Sequence, residues 1–107
     1  LMTNVTYRQY YDKFLIIAEG HSESAQKGSD LVCAGFSSLV YTLINTVADE
    51  SASGRVKLIR NIIRDGYVCL EFEPFDFAYD RVKGIVDTFL TGVYMLCENF
   101  PDNIKTE

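Results

Sequence analysis

The order of the apolar patterns constrains the fold of this chain more than any other feature. Two strand-type runs come before one long amphipathic stripe, and a second pair of runs and a second stripe follow. Apolar runs bounded by turn residues are typical of strands, whereas apolar residues spaced three and four apart are typical of helices. The sequence therefore predicts the order strand, strand, helix, strand, strand, helix.

Each pair of strands is predicted to form a hairpin. The four strands are expected at residues 4–10, 14–18, 55–63 and 67–73. Tyr11 and Asp12 interrupt the apolar pattern in the first hairpin. Asp65 and Gly66 separate the second pair, and an Asp-Gly dipeptide favours a tight turn.

The first helix is predicted from Leu31 to Ala48. Its apolar stripe consists of Val32, Phe36, Leu39, Val40, Leu43, Ile44 and Val47. Ser29 or Asp30 is the expected N-cap, because either side chain accepts a hydrogen bond from a free backbone N–H. Cys33 then lies in the first turn of the helix.

The second helix is predicted from Asp76 to Asn99, and the tail after Pro101 is expected to be loose. The core stripe of this helix consists of Ala78, Val82, Ile85, Phe89, Val93, Leu96 and Phe100. Tyr79, Tyr94 and Met95 are expected to add exposed apolar area. We interpret that area as the seam of a homodimer.

Together these elements predict one α+β domain over residues 1–107. We expect an antiparallel or mixed four-stranded sheet with two helices on one face, in the order ββαββα. A chain of 107 residues is long enough to bury such a core without disulfides.

Composition limits the compartment and the partners. The net charge of −5 argues against a nucleic-acid-binding protein and suits a basic partner. No apolar run approaches the roughly 20 residues that a membrane span needs. The three cysteines are an odd number in unlike settings, so we expect reduced thiols in the cytoplasm.

The segment Gly20–Ser38 contains the candidate chemistry, because it holds the only histidine, His21, and Cys33. A cysteine that meets a histidine in space is a candidate nucleophile. The start of a helix favours an anion, so we expect the Cys33 thiol to lose its proton more readily than a free cysteine with a pKa of about 8.5. In the alternative interpretation, Cys33 is a small apolar filler and His21 is a surface loop residue.

The same segment resembles the signature of the ribosomal-processing cysteine proteases, the Prp family. The matching positions are Gly20-His21, Ala25, Gly28, Asp30, Val32-Cys33-Ala34 and Ser37. They cover about a fifth of the chain, and the remainder agrees in element order and length. Ser22 stands where many members have alanine.

The resemblance implies a cysteine endopeptidase that removes an N-terminal extension from large-subunit ribosomal protein number twenty-seven. His21 and Cys33 match the catalytic pair of the family. The implied substrate is an apolar segment with adjacent aromatic residues and a small residue at the cut. The resemblance also implies roles in substrate binding or in support of the site for the other motif residues, Gly20, Gly28, Asp30, Ala34 and Ser37.

Several of these residues also have interpretations from local chemistry. Gly20 is expected to serve a positive φ or a close backbone approach. Ser37 is equally compatible with a hydroxyl that bonds back to a helix carbonyl. We hypothesise that residues 21–29 order over bound peptide with Gly28 as a hinge.

Two other classes of function remain open: a non-catalytic dimeric module that contacts ribosome-assembly proteins, and a thiol redox sensor. A sensor needs a resolving cysteine, and neither Cys69 nor Cys97 is placed for that role by sequence. We expect no cofactor. We also expect no metal, because the chain has one histidine and no paired cysteine spacing.

Overall fold

The computed structural model describes residues 2–20 and 27–107, and for residues 27–33 it describes the backbone alone. The elements are β1 (Thr3–Tyr10), β2 (Lys13–Glu19), α1 (Lys27–Ala52), β3 (Val56–Arg64), β4 (Tyr67–Pro74), α2 (Tyr79–Asn99) and β5 (Ile104–Thr106). A short 3-10 turn, Asp76–Ala78, leads into α2. The predicted order of strands and helices is confirmed up to the end of α2.

The sheet contains five strands in the order β3-β4-β2-β1-β5, so the prediction of four strands is wrong. Neighbouring strands are antiparallel except β5, which runs parallel to β1. The tail predicted to be loose is held by the sheet, since the Glu107 N–H donates to the Val5 carbonyl at 2.8 Å. Ile104, which is 1% exposed, places this strand in the core.

Both hairpins form as predicted, and each turn contains one residue with a left-handed backbone. Gly66 has a φ of 72° between β3 and β4. Tyr11 has a φ of 59° between β1 and β2, a conformation that is uncommon for a residue other than glycine. The two hairpins join through β2 and β4, where Ile16 pairs with Leu70.

The core lies between the sheet and the two helices. Its buried members are, from the strands, Val5, Phe14, Ile16, Val56, Leu70, Phe72 and Ile104; from α1, Val40, Leu43, Ile44 and Val47; and from the second helical region, Ala78, Val82, Val86, Phe89, Leu90 and Val93. Burial of these side chains is the main source of stability in a domain of this size.

The surface prediction for α2 is partly wrong. Tyr94 and Met95 are exposed, as predicted. Tyr79 instead packs on the core, with its ring centroid 6.1 Å from that of Phe14. Tyr79 is therefore partly buried against the core and is not part of the exposed apolar area.

A buried carboxylate ties the end of α1 to the start of β3 and to α2. Glu50 is 3% exposed, and its two carboxylate oxygens accept hydrogen bonds from Arg55 at 2.8 Å and from Arg81 at 2.7 Å. The hydrogen bond from Arg55 is the largest cause that lowers the pKa of Glu50, against a burial effect that raises it. This network fixes the last turns of α1 against the opposite end of the sheet from Gly20.

Within the part of the chain described here, neither helix is long and apolar enough to cross a membrane.

Candidate active site

The helix that carries Cys33 begins earlier than predicted. It starts at Lys27, so Ser29 and Asp30 are its third and fourth residues and neither is the N-cap. Cys33 is then the seventh helical residue, in the second turn. Serine and aspartate are favoured both at the N-cap and in the first turn, where a negative charge complements the helix dipole, and the sequence signal is therefore ambiguous by one turn.

This shift removes the physical basis for an effect of the helix end on Cys33. The partnerless N–H groups belong to the first four helical residues, and the dipole effect falls off within the first turn. Cys33 lies about 9 Å along the axis from the first residue of α1 at 1.5 Å per residue. The position of Cys33 in α1 therefore gives no support to the expected effect of the helix start on its thiol.

Part of the predicted loop is helical. Gly28 and Ser29 lie inside α1, so Gly28 is not a hinge between a loop and a helix. His21 and residues 22–26 lie outside the described part of the chain, as do the side chains of Asp30 and Cys33. The predicted approach of His21 to Cys33 and the predicted lid remain predictions.

Gly20 immediately precedes His21, and its backbone conformation is described in full. Its φ is 139°, and a Cβ at this position would overlap the Met2 carbonyl oxygen and lie 2.8 Å from the Thr3 Cα. Its N–H donates to the Gly66 carbonyl at 3.0 Å. Both predicted reasons for glycine, positive φ and close approach, are confirmed, and they fix the point from which His21 departs.

A pocket of about 230 Å³ opens beside Gly20, between α1 and the turn that joins β3 to β4. Val40 and Ala18, each 5% exposed, lie among its apolar lining with Phe36 and Val68. The other lining residues are Thr3, Glu19, Gly20, Ser37, Tyr41, Arg64, Asp65, Gly66 and Tyr67. Its apolar lining residues are buried or half-buried, whereas Arg64 and Asp65 of the turn are exposed.

Two further motif residues lie near this pocket on the surface of α1. Ala34 and Ser37 are both exposed, and Ser37 lines the pocket one turn after Cys33. A Cβ at Gly35 would meet Leu96 at 3.6 Å, an ordinary contact. The described side chains therefore give no close approach that would explain a glycine at position 35.

The other two cysteines, Cys69 and Cys97, are buried and partly buried, respectively. Cys69 is 3% exposed, in a strand between Ile17 of β2 and Ile62 of β3. Burial raises the pKa of Tyr67, and the neighbouring Cys69 acts in the same direction. Cys97 packs against the core, and burial raises the pKa of its thiol.

Sequence reasoning missed most of the pocket wall. Tyr41, Val68 and the turn residues Arg64–Gly66 come together because β4 pairs with β2 across the sheet. Tyr41 has a local signal, since it lies eight residues after Cys33 and close to the same face of the helix. The strand residues carry no such signal, because their position depends on long-range pairing.

Comparison with known proteins extends to nearly the whole chain. The family model described as cysteine protease Prp matches residues 2–105. The ribosomal processing cysteine protease Prp of Bacillus subtilis (strain 168) is 28% identical over 108 residues, which cover 97% of this chain and 95% of that protein.

Solved structures match the fold. An essential ribosomal processing protease Prp from S. aureus in complex with a substrate peptide has a TM-score of 0.74 at 21% identity, covering 99% of this chain and 98% of that one. SMU.848 from Streptococcus mutans has a TM-score of 0.71 at 24% identity, covering 99% and 92%. Both structures share the arrangement of a mixed sheet and two helices.

Proposed function

Because this chain belongs to the cysteine protease Prp family, we propose that it is a cysteine endopeptidase that processes a ribosomal protein. The match of the family model to residues 2–105 carries this proposal. The matched range includes the Gly20–Ser37 motif, both helices, β1 to β4 and the first two residues of β5, so it does not depend on one isolated cysteine and histidine.

In the proposed reaction, Cys33 and His21 act as a nucleophile and a general acid–base pair. The Cys33 thiolate attacks the scissile carbonyl carbon, and the imidazolium of His21 protonates the departing amine. The resulting thioester is cleaved by water, which returns the thiolate and completes hydrolysis. Three features support this assignment: Gly20 is anchored just before His21, α1 carries Cys33, and the pocket lies one turn further along the helix.

The supporting roles of the motif residues follow from their places in the fold. Gly20 holds a backbone conformation that suits glycine just before His21, and Ser37 lines the pocket. Ala34 follows Cys33 and is exposed, so its small side chain leaves room for a peptide beside the nucleophile. Gly28 and Asp30 lie in the first turn of α1, a part of a helix where a residue of negative charge is favoured.

The proposed substrate is the N-terminal extension of large-subunit ribosomal protein number twenty-seven. The B. subtilis relative is named as a ribosomal processing protease, and the S. aureus structure holds a substrate peptide. The net charge of −5 favours the approach of a basic ribosomal protein, an attraction that salt weakens.

Peptide cleavage tests this function directly. The chain is incubated with a synthetic peptide that spans the proposed extension and its junction, and the products are weighed by mass spectrometry. We expect a single cut at the junction, and none with the Cys33→Ala variant. Failure of the unaltered chain to cut the peptide would refute the assignment.

The redox-sensor alternative finds little support in the described residues. Cys69 is buried in the sheet, and Cys97 packs on the core, so each is poorly accessible to a sulfenic acid on another residue. An efficient sensor requires an accessible resolving thiol.

We also propose that the chain forms a homodimer through the exposed surface of α2. Tyr94 and Met95 are 49% and 59% exposed, a large apolar area for neighbouring helical positions. Replacement of Met95 by lysine is expected to shift the mass measured by light scattering from dimer to monomer. A monomeric mass for the unaltered chain would contradict this proposal.

A further inference from the structure

Three aromatic side chains are exposed at the end of the sheet opposite to Gly20. Tyr11, in the turn between β1 and β2, is 97% exposed, and Phe75 and Phe77, between β4 and α2, are 48% and 77% exposed. Single exposed apolar residues are ordinary, whereas a group of them on one surface marks an interaction site. Aromatic residues are also enriched in protein interfaces. We call Tyr11, Phe75 and Phe77 the aromatic patch.

One side chain joins the two parts of the aromatic patch. The amide nitrogen of Gln9 donates to the Tyr11 carbonyl at 2.9 Å and to the Tyr79 hydroxyl at 2.8 Å. Tyr79 is the first residue of α2 and follows Phe77 by two positions. The turn that carries Tyr11 therefore lies beside the segment that leads into α2.

The backbone of Tyr11 is unfavourable for the residue it carries. Its φ of 59° lies in the left-handed region, which suits glycine or asparagine in a tight turn and is uncommon for a bulky side chain. The ring gains almost no packing in return, because it is 97% exposed. The fold therefore does not explain an aromatic residue at position 11, and a role in binding does.

Exposed carboxylates accompany the aromatic patch. Asp12 follows the tyrosine of the turn, Asp76 stands between the two phenylalanines, and Asp80 lies in the first turn of α2. Across residues 2–20 and 27–107, none of these three carboxylates pairs with a basic side chain. Lys13 adjoins Asp12, and Arg81 is engaged by the buried carboxylate described above. The surface therefore combines aromatic rings with an excess of negative charge, which suits a cationic partner.

The length of β1 separates the aromatic patch from the proposed cleavage point. Thr3 lies against Gly20, whereas Tyr10, at the other end of β1, adjoins the patch. These two residues are seven positions apart, a distance of about 23 Å at about 3.3 Å per residue. An extended substrate that reached both places would need about seven residues between the cut bond and the docked segment.

We propose that the aromatic patch and its three carboxylates form a docking surface for an arginine- and lysine-rich segment of the substrate protein, at least about seven residues from the cut bond. The inference rests on the proposed function, which supplies a basic ribosomal protein as the substrate. A guanidinium group stacks on aromatic rings and pairs with carboxylates at the same time. A second copy of this chain, with a net charge of −5, suits this acidic surface less well.

Binding of a short cationic peptide tests the docking surface directly. The probes are a labelled peptide of alternating arginine and glycine and a matched peptide with glutamine in place of arginine. Their affinities for the Cys33→Ala variant, which should not cut them, are measured by fluorescence anisotropy. The arginine peptide should bind at least about 5-fold more tightly than the glutamine peptide. Adding Tyr11→Asn and Phe77→Ser should weaken the arginine peptide by about 5-fold or more, the effect of two lost cation–π contacts.

The aromatic variant should fold, because both replaced side chains are exposed and asparagine suits a positive φ. Ile59→Ser is its matched control, since Ile59 is a 37% exposed apolar residue of β3 outside the patch. The control should keep the affinity for the arginine peptide. Unchanged affinity in the aromatic variant, or equal binding of the arginine and glutamine peptides, would overturn the docking surface.

A pair of charge variants separates the docking surface from the net charge of the chain. Asp12→Asn with Asp76→Asn removes two carboxylates beside the aromatic patch. Glu98→Gln with Asp102→Asn removes two exposed carboxylates near the other end of α2. The first variant should lose at least about 3-fold more affinity for the arginine peptide than the second. Equal losses would assign the binding to net charge alone and overturn the docking surface.

Cleavage separates failure of the docking surface from failure of the proposed function. The two substrates are the intact ribosomal protein and an extension peptide that ends three residues after the cut and is too short to reach the patch. Tyr11→Asn with Phe77→Ser should lower kcat/KM for the intact protein by about 5-fold or more, through KM, and spare the short peptide. Equal effects on the two substrates would overturn the docking surface and leave the peptidase function intact.

Two further outcomes are distinguishable. If the unaltered chain cuts neither substrate, the proposed function fails, and the anisotropy measurements alone decide whether the patch binds cationic segments. If the aromatic variant has a lower mass by light scattering and an unchanged affinity for the arginine peptide, the patch contacts a second copy of this chain, and the proposal is overturned.

Discussion

The N–H of Gly20 donates a hydrogen bond of 3.0 Å to the carbonyl of Gly66, and both glycines have positive φ. This bond fastens the end of β2 to the turn between β3 and β4. His21 follows Gly20 directly, so the residue proposed to act as the acid–base group starts from a fixed point. Both glycines line the pocket beside α1, so this hydrogen bond joins two residues of the pocket wall.

Gly20→Ala is expected to destabilise the chain and to lower peptidase activity strongly. The added Cβ would overlap backbone atoms of Met2 and Thr3, and backbone cannot move aside as a flexible side chain does. We expect a loss of at least about 3 kcal/mol in the free energy of unfolding, since a positive φ alone costs about 1–3 kcal/mol. Urea denaturation measures the change.

Gly54→Ala is the control for Gly20→Ala. Gly54 also has a positive φ, 76°, but no described atom lies within 4 Å of a Cβ added there. The free energy of unfolding of Gly54→Ala should therefore fall only by the cost of the left-handed backbone, about 1 kcal/mol. Equal losses in the two variants would show that the contact with Met2 and Thr3 is unimportant.

Replacement of the proposed catalytic pair is expected to remove activity and keep the fold. Cys33→Ala should lower kcat/KM for the extension peptide by at least about 10³-fold, because no nucleophile remains. His21→Ala should lower it by about 10²–10⁴-fold, the range of general acid–base catalysis. The melting temperatures of both variants, followed by circular dichroism, should stay close to that of the unaltered chain.

Cys97→Ala is the matched control for the loss of a thiol. Cys97 packs on the core and is remote from the motif in sequence, so its replacement should leave cleavage unchanged. Retained cleavage in Cys33→Ala would show that another residue is the nucleophile. Loss of cleavage in Cys97→Ala with an intact fold would also contradict the assignment of Cys33 as the nucleophile.

Local signals were sufficient to predict most of the fold. Asp65-Gly66 and the apolar stripes of α1 and α2 specify their elements through residues close in sequence. β5 has no such signal, because it has three residues and is held by parallel pairing to β1 at the other end of the chain. Only one of those residues, Ile104, is buried, so no period can be recognised.

In the candidate site, too, features with a local sequence signal could be predicted and features that depend on long-range pairing could not. The motif residues were identified by their resemblance to the Prp family signature, and the structure supplies a backbone reason for Gly20. The start of α1 was misplaced because Ser29 and Asp30 suit a first turn as well as a cap. The pocket could not be predicted, since it depends on β4 lying beside β2.

Glu50→Gln is expected to lower the free energy of unfolding by about 3 kcal/mol. The substitution removes the negative charge that pairs with Arg55 and Arg81, and Arg55 then stays partly buried without it. Glu98→Gln is the control, since Glu98 is exposed on α2 and should change stability by less than about 0.5 kcal/mol. Guanidinium titration at neutral pH measures both. A loss in Glu50→Gln no larger than that of the control would contradict a role for the network.

The effect of Glu50 should depend on pH in a defined direction. Arg55 and Arg81 lower the pKa of Glu50 in the folded state, so its stabilisation is present above the unfolded-state pKa of about 4.3. It is lost as the pH falls through the lower folded-state pKa. The difference in unfolding free energy between the unaltered chain and Glu50→Gln should therefore be constant from pH 7 to 5 and shrink below pH 4. A difference that grows on acidification would contradict this assignment.

Two glycines in α2 should respond differently to alanine, because only one faces α1. A Cβ at Gly84 would meet no described atom within 4 Å, whereas a Cβ at Gly92 would lie 2.8 Å from a Leu39 methyl. Gly84→Ala should stabilise the helix by about 1 kcal/mol, a rise of roughly 4–8 °C in melting temperature for a domain of this size. Gly92→Ala gains the same helix propensity but must move Leu39, at about 0.5–1.5 kcal/mol for a displaced rotamer. Its melting temperature should fall below that of Gly84→Ala, and calorimetry that gave the two variants equal values would show that α1 and α2 do not pack closely at Leu39.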